Sequence, residues 1–151
     1  MSVRHLQDQG LRAAREGRAI HKHVTGDTVT TGFVVQTAAG IYYDIPAGKQ
    51  IVVTAINVGC DTVEEFVAGY LVGCAEIAGG GAATQKHTEI HDHVGSKKEG
   101  RGHVREDIHP PVVFKYSDGH RSVSMAVKAT DTATLADYGW MGWVEDEGTL
   151  S

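Results

Sequence analysis

Residues Ile41–Ile77 decide the fold, and they read IYYDI-PAGK-QIVVTAINV-GCDTVEE-FVAGYLVGCAEI. Three apolar, β-branched runs are separated by two short segments that contain the turn formers Pro, Gly and Asp. The middle run, Gln50–Val58, has apolar side chains at both alternating sets of positions. That pattern is typical of a strand buried on both faces. The stretch therefore predicts the centre of a β-sheet.

Alternating apolar and polar residues mark further strands on both sides of this stretch. Thr28–Gln36 is the predicted first strand, and Thr134–Val144 is the predicted last. Between them, Arg121–Ala129 places Val, Met, Val and Ala on one face and smaller or polar side chains on the other. With about seven or eight such strands and no strong helical period, the chain is predicted to be an all-β antiparallel sandwich. The long strands and one long interruption favour a jelly roll.

Length and composition place the chain in a broad class. Its 151 residues suffice for one domain with a core, and 41% hydrophobic with 22% charged residues exclude a disordered chain. A net charge of -5 argues against a nucleic-acid binder held by bulk charge. No apolar run has the roughly 18 residues of a membrane helix, and the N-terminus lacks an apolar signal core. We therefore expect synthesis in a cytoplasm, with neither nucleic acid nor membrane as a direct partner.

The first 26 residues are polar and carry a local excess of positive charge. We predict an extended N-terminal arm at 1–26, followed by a β-sandwich domain at 27–151. Because an arm that becomes ordered on a partner covers a large surface, its basic side chains are candidate partner-binding residues. These are Arg4, Arg12, Arg15, Arg18 and Lys22. The alternative is a solvated tail without a partner.

A histidine-rich segment follows the central strands, and it is predicted to be a long loop or hairpin at about 79–109. His87, Glu89, His91 and His93 recur at spacing two, which places them on one face if the segment is a strand. Imidazole and carboxylate groups on one face can hold zinc, iron or manganese. The alternatives are a solvated polar loop, and a contact between subunits that responds to acid.

The same segment has a basic tip. Lys97, Lys98 and Arg101 are candidate partner-binding residues, since they could meet an acidic surface. Around this tip, Thr88–His93 and His103–Ile108 are predicted to pair as the two strands of a hairpin. The alternative is a solvated hairpin end.

No catalytic signature is present in the sequence, which has no GxSxG, no P-loop and no CxxC. Cys60 and Cys74 are expected to be buried thiols rather than a bridge, because two cysteines do not make a disulfide scaffold. Neither has a neighbouring histidine, so no catalytic residue is assigned and no enzyme is expected. Trp140 and Trp143 are three residues apart, on opposite faces of a strand, so one is expected in the core and the other could contact a sugar.

Three segments together resemble the small all-β decoration, or cement, proteins of tailed bacteriophage capsids. They are DIPAGKQIVVTAINV (44–58), PPVVFKYSDGHRSVSMAVKA (110–129) and TATLADYGWMGWVEDE (132–147). The resemblance covers roughly Thr28–Glu147 and is architectural. It implies a jelly-roll-like body, a homotrimer on the capsid exterior that clamps neighbouring subunits of the major capsid protein, and no cofactor. The N-terminal arm would reach across subunits, whereas the long His-rich insertion departs from such a minimal clamp.

Two other functions remain open from the sequence. His91-Asp92-His93 followed by Glu99 resembles the HxH…E motif of cupins, which are metal enzymes on a jelly-roll barrel. That resemblance implies a divalent metal held by His87, His91, His93 and Glu99. The spacing to Glu99 is one residue too long, and a later histidine in a PxG context is absent. The third function is a receptor-binding or glycan-binding virion module that uses Trp140 or Trp143.

Overall fold

The structure is a computed structural model of the 151-residue chain. It describes residues 3–36, 38, 40–62, 65–77, 87–97, 103–131 and 134–148. For residues 3, 87–97 and 103 the description covers the backbone alone.

One helix and nine strands make up the described part of the chain. Helix α1 spans Val3–Arg15 and is followed by the strands in chain order. These are β1 (Ala19–Val29), β2 (Val34–Val35), β3 (Tyr43–Asp44), β4 (Lys49–Cys60), β5 (Phe66–Cys74), β6 (His87–Lys97), β7 (His103–Lys115), β8 (Ser122–Ala129) and β9 (Thr134–Asp146). A 3₁₀ turn, Tyr116–Asp118, joins β7 to β8.

The strands form two antiparallel sheets that face each other. Sheet A has the order β1-β9-β4-β7, and sheet B has the order β2-β8-β5-β6, with β3 also paired to β8. Strands next to each other in sequence mostly lie in different sheets, so the chain crosses repeatedly between the two layers. The short strands β2 and β3 both pair with β8 and together fill one position of sheet B, so each sheet has four strand positions, which is the arrangement of a jelly roll. The predicted all-β antiparallel sandwich is confirmed.

The core between the sheets is built around β4, as the opening stretch predicts. Ile51, Val53, Ile56 and Val58 are buried against the facing sheet. A register irregularity between Val53 and Ala55 shifts the alternation by one residue, so both halves of the strand keep an apolar side chain toward the core. The opposite face of β4 is also covered, because Val52 is fully buried beneath α1.

Strand β8 has the alternation that the sequence predicts. Val123, Met125 and Val127 belong to the core between the sheets, whereas Ala126 faces a second apolar cluster on the outer side of sheet B. Ser122 and Ser124, predicted to face outward, do so, yet both are fully buried. The hydroxyl of Ser122 donates to the Glu76 carbonyl at 2.7 Å, which satisfies its polar group there.

The prediction that residues 1–26 form an extended arm is wrong. Val3–Arg15 is helical, and Ala19–Val29 pairs with β9 as an edge strand of sheet A. The sequence hid the helix because Leu11 and Ala14 are exposed, whereas the positions that face the sheet include the half-buried Gly10 and the buried Ala13. Tertiary packing thus stabilises a segment whose own apolar period is weak. Strand β1 also runs across the predicted boundary between residues 26 and 27.

The predicted loop at 79–109 contains strand β6 and part of β7. The predicted hairpin between Thr88–His93 and His103–Ile108 is wrong, because β6 pairs with β5 in sheet B and β7 pairs with β4 in sheet A. The connection therefore crosses from one sheet to the other. Two long apolar partner strands, rather than the local tip, decide where each segment pairs.

Candidate partner-binding surface

Helix α1 lies on the outer face of sheet A. Ala13 is fully buried there and packs with Leu6 against Val52, Val113 and Trp143. The Cα of Gly10 comes so near the sheet that an added Cβ would lie 3.7 Å from the Trp143 ring. Val52, Val113 and Trp143 form the seat of the helix, and contact with this apolar patch fixes the side of the helix that faces the sheet.

The opposite side of α1 carries an exposed ridge, which we define as Arg4, Leu11 and Arg15. These residues are separated by seven and four positions, so they fall on one line along the helix. All three are exposed, and Leu11 is 57% exposed although it is apolar. The ridge therefore offers two guanidinium groups that flank one apolar side chain.

The other three predicted arm cations have different surroundings. Arg12 is exposed and pairs with Glu16 at 3.0 Å. Arg18 is partly buried, pairs with Glu16 at 2.7 Å and donates through Nη1 to the Val144 carbonyl at 2.9 Å. These two arginines hold the pKa of the exposed Glu16 carboxyl below its ordinary value, through hydrogen bonds first and charge second. Both cations stabilise the turn between α1 and β1.

Lys22 lies away from the ridge. It occupies a half-buried position of β1 opposite Trp140, and its ammonium is 5.8 Å from the centre of the Tyr43 ring. Of the five predicted arm cations, the structure thus brings Arg4, Arg12 and Arg15 together on one exposed helix. Their role toward a partner stays a prediction.

The side chains of the predicted basic tip and of the predicted metal ligands all lie outside the described side chains. Lys97 is the last residue of β6, where it pairs with Phe66. Lys98, Glu99 and Arg101 lie outside the described residues. Their predicted partner and metal roles stay predictions.

The register of β6 interrupts the regular alternation on which the metal hypothesis rests. His93 pairs with Tyr70 and His91 pairs with Leu71, so one extra residue lies between them on β6. A second irregularity separates Glu89 from His87. The histidine positions therefore do not form one uninterrupted row of the ladder. Among the side chains that the structure describes, no group of three or more His, Cys, Asp or Glu residues could hold a metal ion.

Both cysteines are buried free thiols, as the sequence predicts. Cys60 lies in the core between the sheets, whereas Cys74 lies in the cluster on the outer side of sheet B. The Cys60 thiol donates to the carbonyls of Thr62 and Glu65, at 3.2 and 3.3 Å. Burial raises the pKa of the Cys74 thiol, which a hydrogen bond with Ser122 partly offsets.

The two tryptophans lie on opposite faces of β9, as their spacing predicts. Trp140 is fully buried between the sheets and donates from Nε1 to the Ile41 carbonyl at 2.6 Å. Trp143 is only 4% exposed, because α1 covers it. Neither ring is free to act as a platform for a sugar in this conformation.

Sequence reasoning missed the seat of α1 and the exposed Leu11. The seat residues Val52, Val113 and Trp143 come from three strands that are adjacent only in sheet A. The sequence of β4 did indicate such a contact, since a strand with apolar side chains on its outer face must be covered by another element. Nothing in the sequence says that residues 3–15 supply that cover.

The fold and this surface define a jelly-roll domain that presents a positively charged helix. No protein-family model matches the chain. No curated protein matches it. Within the described residues, no helix is long and apolar enough to cross a membrane.

Several solved structures match most of this chain at low sequence identity. The Drosophila NLP core, studied for pentamer formation and histone binding, is 13% identical with a TM-score of 0.38, over 85% of this chain and 99% of that chain. Infectious bursal disease virus, Gx strain, gives 10% identity and a TM-score of 0.43, over 88% of this chain and 34% of that chain. The Tobacco streak virus coat protein dimer gives 9% identity and a TM-score of 0.34, over 89% and 90%. These values assign no family to this chain.

Proposed function

We propose that the protein is a virion structural protein that decorates the exterior of a phage capsid and clamps neighbouring subunits of the major capsid protein. The jelly roll is also the fold of lectin domains and cupins, so the fold alone does not choose among these functions. The observation that carries the proposal is the ridge of α1, a folded basic surface on a chain whose net charge is -5. A protein with a negative net charge that binds an acidic surface through charge needs such a local basic patch.

The ridge fits an acidic protein surface. Arg4 and Arg15 can each make two parallel hydrogen bonds to a carboxylate, and Leu11 between them can enter an apolar spot. Because α1 is already folded on sheet A, binding does not have to order the segment. This replaces the expectation of an arm that becomes ordered only on its partner.

Attachment in several copies follows from the same reasoning. A patch of two arginines and one leucine is too small for tight binding by one copy. A homotrimer presents three ridges at once, and the effective concentration of the second and third contacts raises the overall affinity. Sedimentation equilibrium of the purified chain should therefore give a trimer, and a strictly monomeric chain would count against the clamp.

The test of the ridge is co-sedimentation with capsids assembled from the major capsid protein of the same virus. Arg4→Gln/Arg15→Gln should bind at least about tenfold more weakly, which corresponds to about 1.4 kcal/mol. The matched control is Arg4→Lys/Arg15→Lys, which keeps both charges and should lose less. Leu11→Ser tests the apolar contact separately.

The outcomes separate the ridge from the function. Capsid binding that is undiminished in Arg4→Gln/Arg15→Gln excludes the ridge as the contact. Absence of binding by the unaltered chain overturns the proposed function. A deletion of residues 2–26 is unsuitable as a test, because it removes most of β1 with the core residue Ile20 and uncovers Trp143.

The metal-enzyme and glycan-binding hypotheses stay predictions. Metal analysis of the purified full chain, before and after His91→Ala, tests the first. Stoichiometric metal that His91→Ala removes would support a metal protein, whereas native folding in chelator with no metal would count against it.

A further inference from the structure

A cavity of about 480 Å³ opens between α1 and strand β7, on the outer side of sheet A. Its apolar lining consists of Leu6 from the helix, Ile108 from β7 and Trp143 from β9. Ligand sites in proteins are clefts of about 300–1,000 Å³ with a mostly apolar lining and a few polar groups. The size and the apolar part of this cavity fit that description.

An irregularity in β7 makes room for the cavity. The register of β7 on β4 jumps between Val53 and Ala55, so residues 108–111 lie opposite the single residue Thr54. Thr54 and the first two residues of this bulge line the cavity. Bulges are frequent beside binding and active sites, because they turn side chains away from the regular ladder.

Gly10 leaves the helix side of the cavity open. An added Cβ at this position would lie 3.7 Å from the Trp143 ring, so a larger side chain would extend into the same space. Glycine inside a helix is unfavourable relative to alanine, and it usually has a packing or functional reason. Here it keeps the space beside Trp143 free.

Three polar side chains at the cavity have hydrogen-bonding capacity to spare. Gln7 and His109 are exposed, and neither side chain makes a hydrogen bond within the part of the chain that the structure describes. The hydroxyl of Thr54 donates to the Met141 carbonyl at 3.4 Å, so its oxygen can still accept a hydrogen bond. A ligand with one hydroxyl could therefore be bound at this rim.

The charged groups at the rim compensate each other. Nε of Arg105 lies 3.1 Å from Oδ1 of Asp107, and both side chains are largely exposed. A guanidinium and a carboxylate at this distance leave the rim without an excess of either sign. The cavity therefore favours an uncharged ligand.

Trp143 favours an aromatic ring among uncharged groups. Only 4% of this residue is exposed, so it offers an edge of its ring rather than a broad face. Two aromatic rings pack favourably edge to face, and Leu6 and Ile108 supply further apolar contact.

We propose that this cavity binds an uncharged aromatic group that carries a hydroxyl, which is the chemistry of a phenol. The ring lies against Leu6, Ile108 and Trp143, and the hydroxyl forms a hydrogen bond with the ring of His109. Such a group can arrive as a free small molecule or as a tyrosine side chain of a partner protein. The second source is geometrically open, because Gln7 lies one helical turn from Arg4 and from Leu11 and so borders the ridge.

The test is a titration of the full chain with 4-methylphenol, followed by ¹H–¹⁵N correlation spectra. We expect saturable shifts at the amides of Gly10 and Thr54 and at the indole N–H of Trp143, with a Kd of about 10⁻³ M for so small a ligand. The charged analogue 4-methylbenzoate should bind at least about tenfold more weakly, since a carboxylate must leave water for a neutral rim.

His109→Leu should raise the Kd for 4-methylphenol at least about threefold, because it removes the hydrogen bond and keeps an apolar side chain. The matched control is His5→Leu, which makes the same change at an exposed position of α1 that does not line the cavity. If His109→Leu does not fold, Gln7→Leu at the exposed helix position tests the rim instead. Absence of saturable shifts, tighter binding of 4-methylbenzoate, or equal losses in His109→Leu and His5→Leu would overturn the site.

The source of the phenol is decided by capsid co-sedimentation in the presence of 4-methylphenol, and this part alone rests on the proposed function. Competition by millimolar 4-methylphenol identifies a tyrosine of the partner as the occupant. Capsid binding that 4-methylphenol leaves unchanged identifies a free ligand. Absence of capsid binding overturns the proposed function, whereas the spectra test the cavity without any capsid.

Discussion

The hydroxyl of Tyr138 in β9 donates a 2.6 Å hydrogen bond to Oδ2 of Asp27 in β1, so a phenol and a carboxylate meet at the edge of the core. Tyr138 is fully buried. Its pKa is raised well above the ordinary value, first because burial disfavours the phenolate, and then because Asp27 bonds to the neutral form and repels the charged one. This bond joins β1 to β9 in addition to their backbone ladder.

Tyr138→Phe should destabilise the protein by about 1–3 kcal/mol, because it leaves the Asp27 carboxylate without this donor in a partly buried place. Urea unfolding followed by circular dichroism measures the change. Tyr42→Phe, at a half-buried tyrosine, serves as the control and should change stability by much less. Equal stability of Tyr138→Phe and the unaltered chain would show that water replaces the bond.

The same tyrosine gives the protein an alkaline limit. Because the pKa of Tyr138 is higher in the folded than in the unfolded chain, the unfolded state loses its proton first as pH rises. The contribution of the protonated Tyr138 to the free energy of unfolding is fully present below about pH 10, the ordinary tyrosine pKa. It is lost progressively above that pH. Unfolding midpoints between about pH 8 and pH 11 should therefore fall more steeply for the unaltered chain than for Tyr138→Phe. Parallel curves would contradict this assignment.

Gly142 marks the closest approach of β9 to β4. A Cβ at this position would collide with the backbone carbonyl of Val52, which has no freedom to move away inside sheet A. Gly142→Ala should therefore cost about 1–3 kcal/mol or more. Gly32→Ala is the matched control, because nothing lies within 4 Å of a Cβ there. Thermal unfolding of the two variants side by side measures this difference, and equal melting temperatures would contradict the predicted collision.

The contact between α1 and Trp143 should govern how tightly the helix is held. Trp143→Ala removes the largest side chain of the seat and should cost about 3–5 kcal/mol. Amide exchange in residues 3–15 should accelerate more than exchange in β4, because the helix loses its main apolar contact with sheet A while the core between the sheets remains. Leu11→Ala, on the exposed side, should leave the exchange of α1 nearly unchanged.

Both thiols should resist modification in the folded protein. Cys60 and Cys74 are fully buried, so reagents cannot reach either thiol, and burial also raises the pKa of Cys74. A thiol reagent such as DTNB should react with neither cysteine under native conditions and with both in urea. Rapid reaction of either one in the native protein would show that its strand opens locally.

The strands and their faces could be predicted where one face is buried and the pattern is regular. The alternation of Arg121–Ala129 and the two-faced burial of Gln50–Val58 both appear in the structure. The helix could not be predicted, because the positions that face the sheet include a glycine and an alanine, which carry almost no hydrophobic signal. Its seat is assembled from Val52, Val113 and Trp143, which are distant in the chain.

The candidate surface was predicted only in part. The sequence singled out Arg4 and Arg15 by charge, but it gave Leu11 no role because an isolated leucine in a polar segment has no visible partner. It also grouped Arg18 and Lys22 with them. In the structure Arg18 donates to the Val144 carbonyl of β9, and Lys22 lies near the Tyr43 ring. Charge can be read from sequence, whereas the direction in which a side chain points depends on the element that carries it.

By itself the sequence determined the all-β class, the central place of Ile41–Ile77 and the burial of both cysteines, because these follow from local apolar patterns. Only the tertiary structure decided that residues 3–15 fold as a helix on sheet A, and that β6 and β7 separate into different sheets. These outcomes depend on long-range pairing, where the partner strand supplies the apolar surface and the backbone hydrogen bonds that no local segment contains.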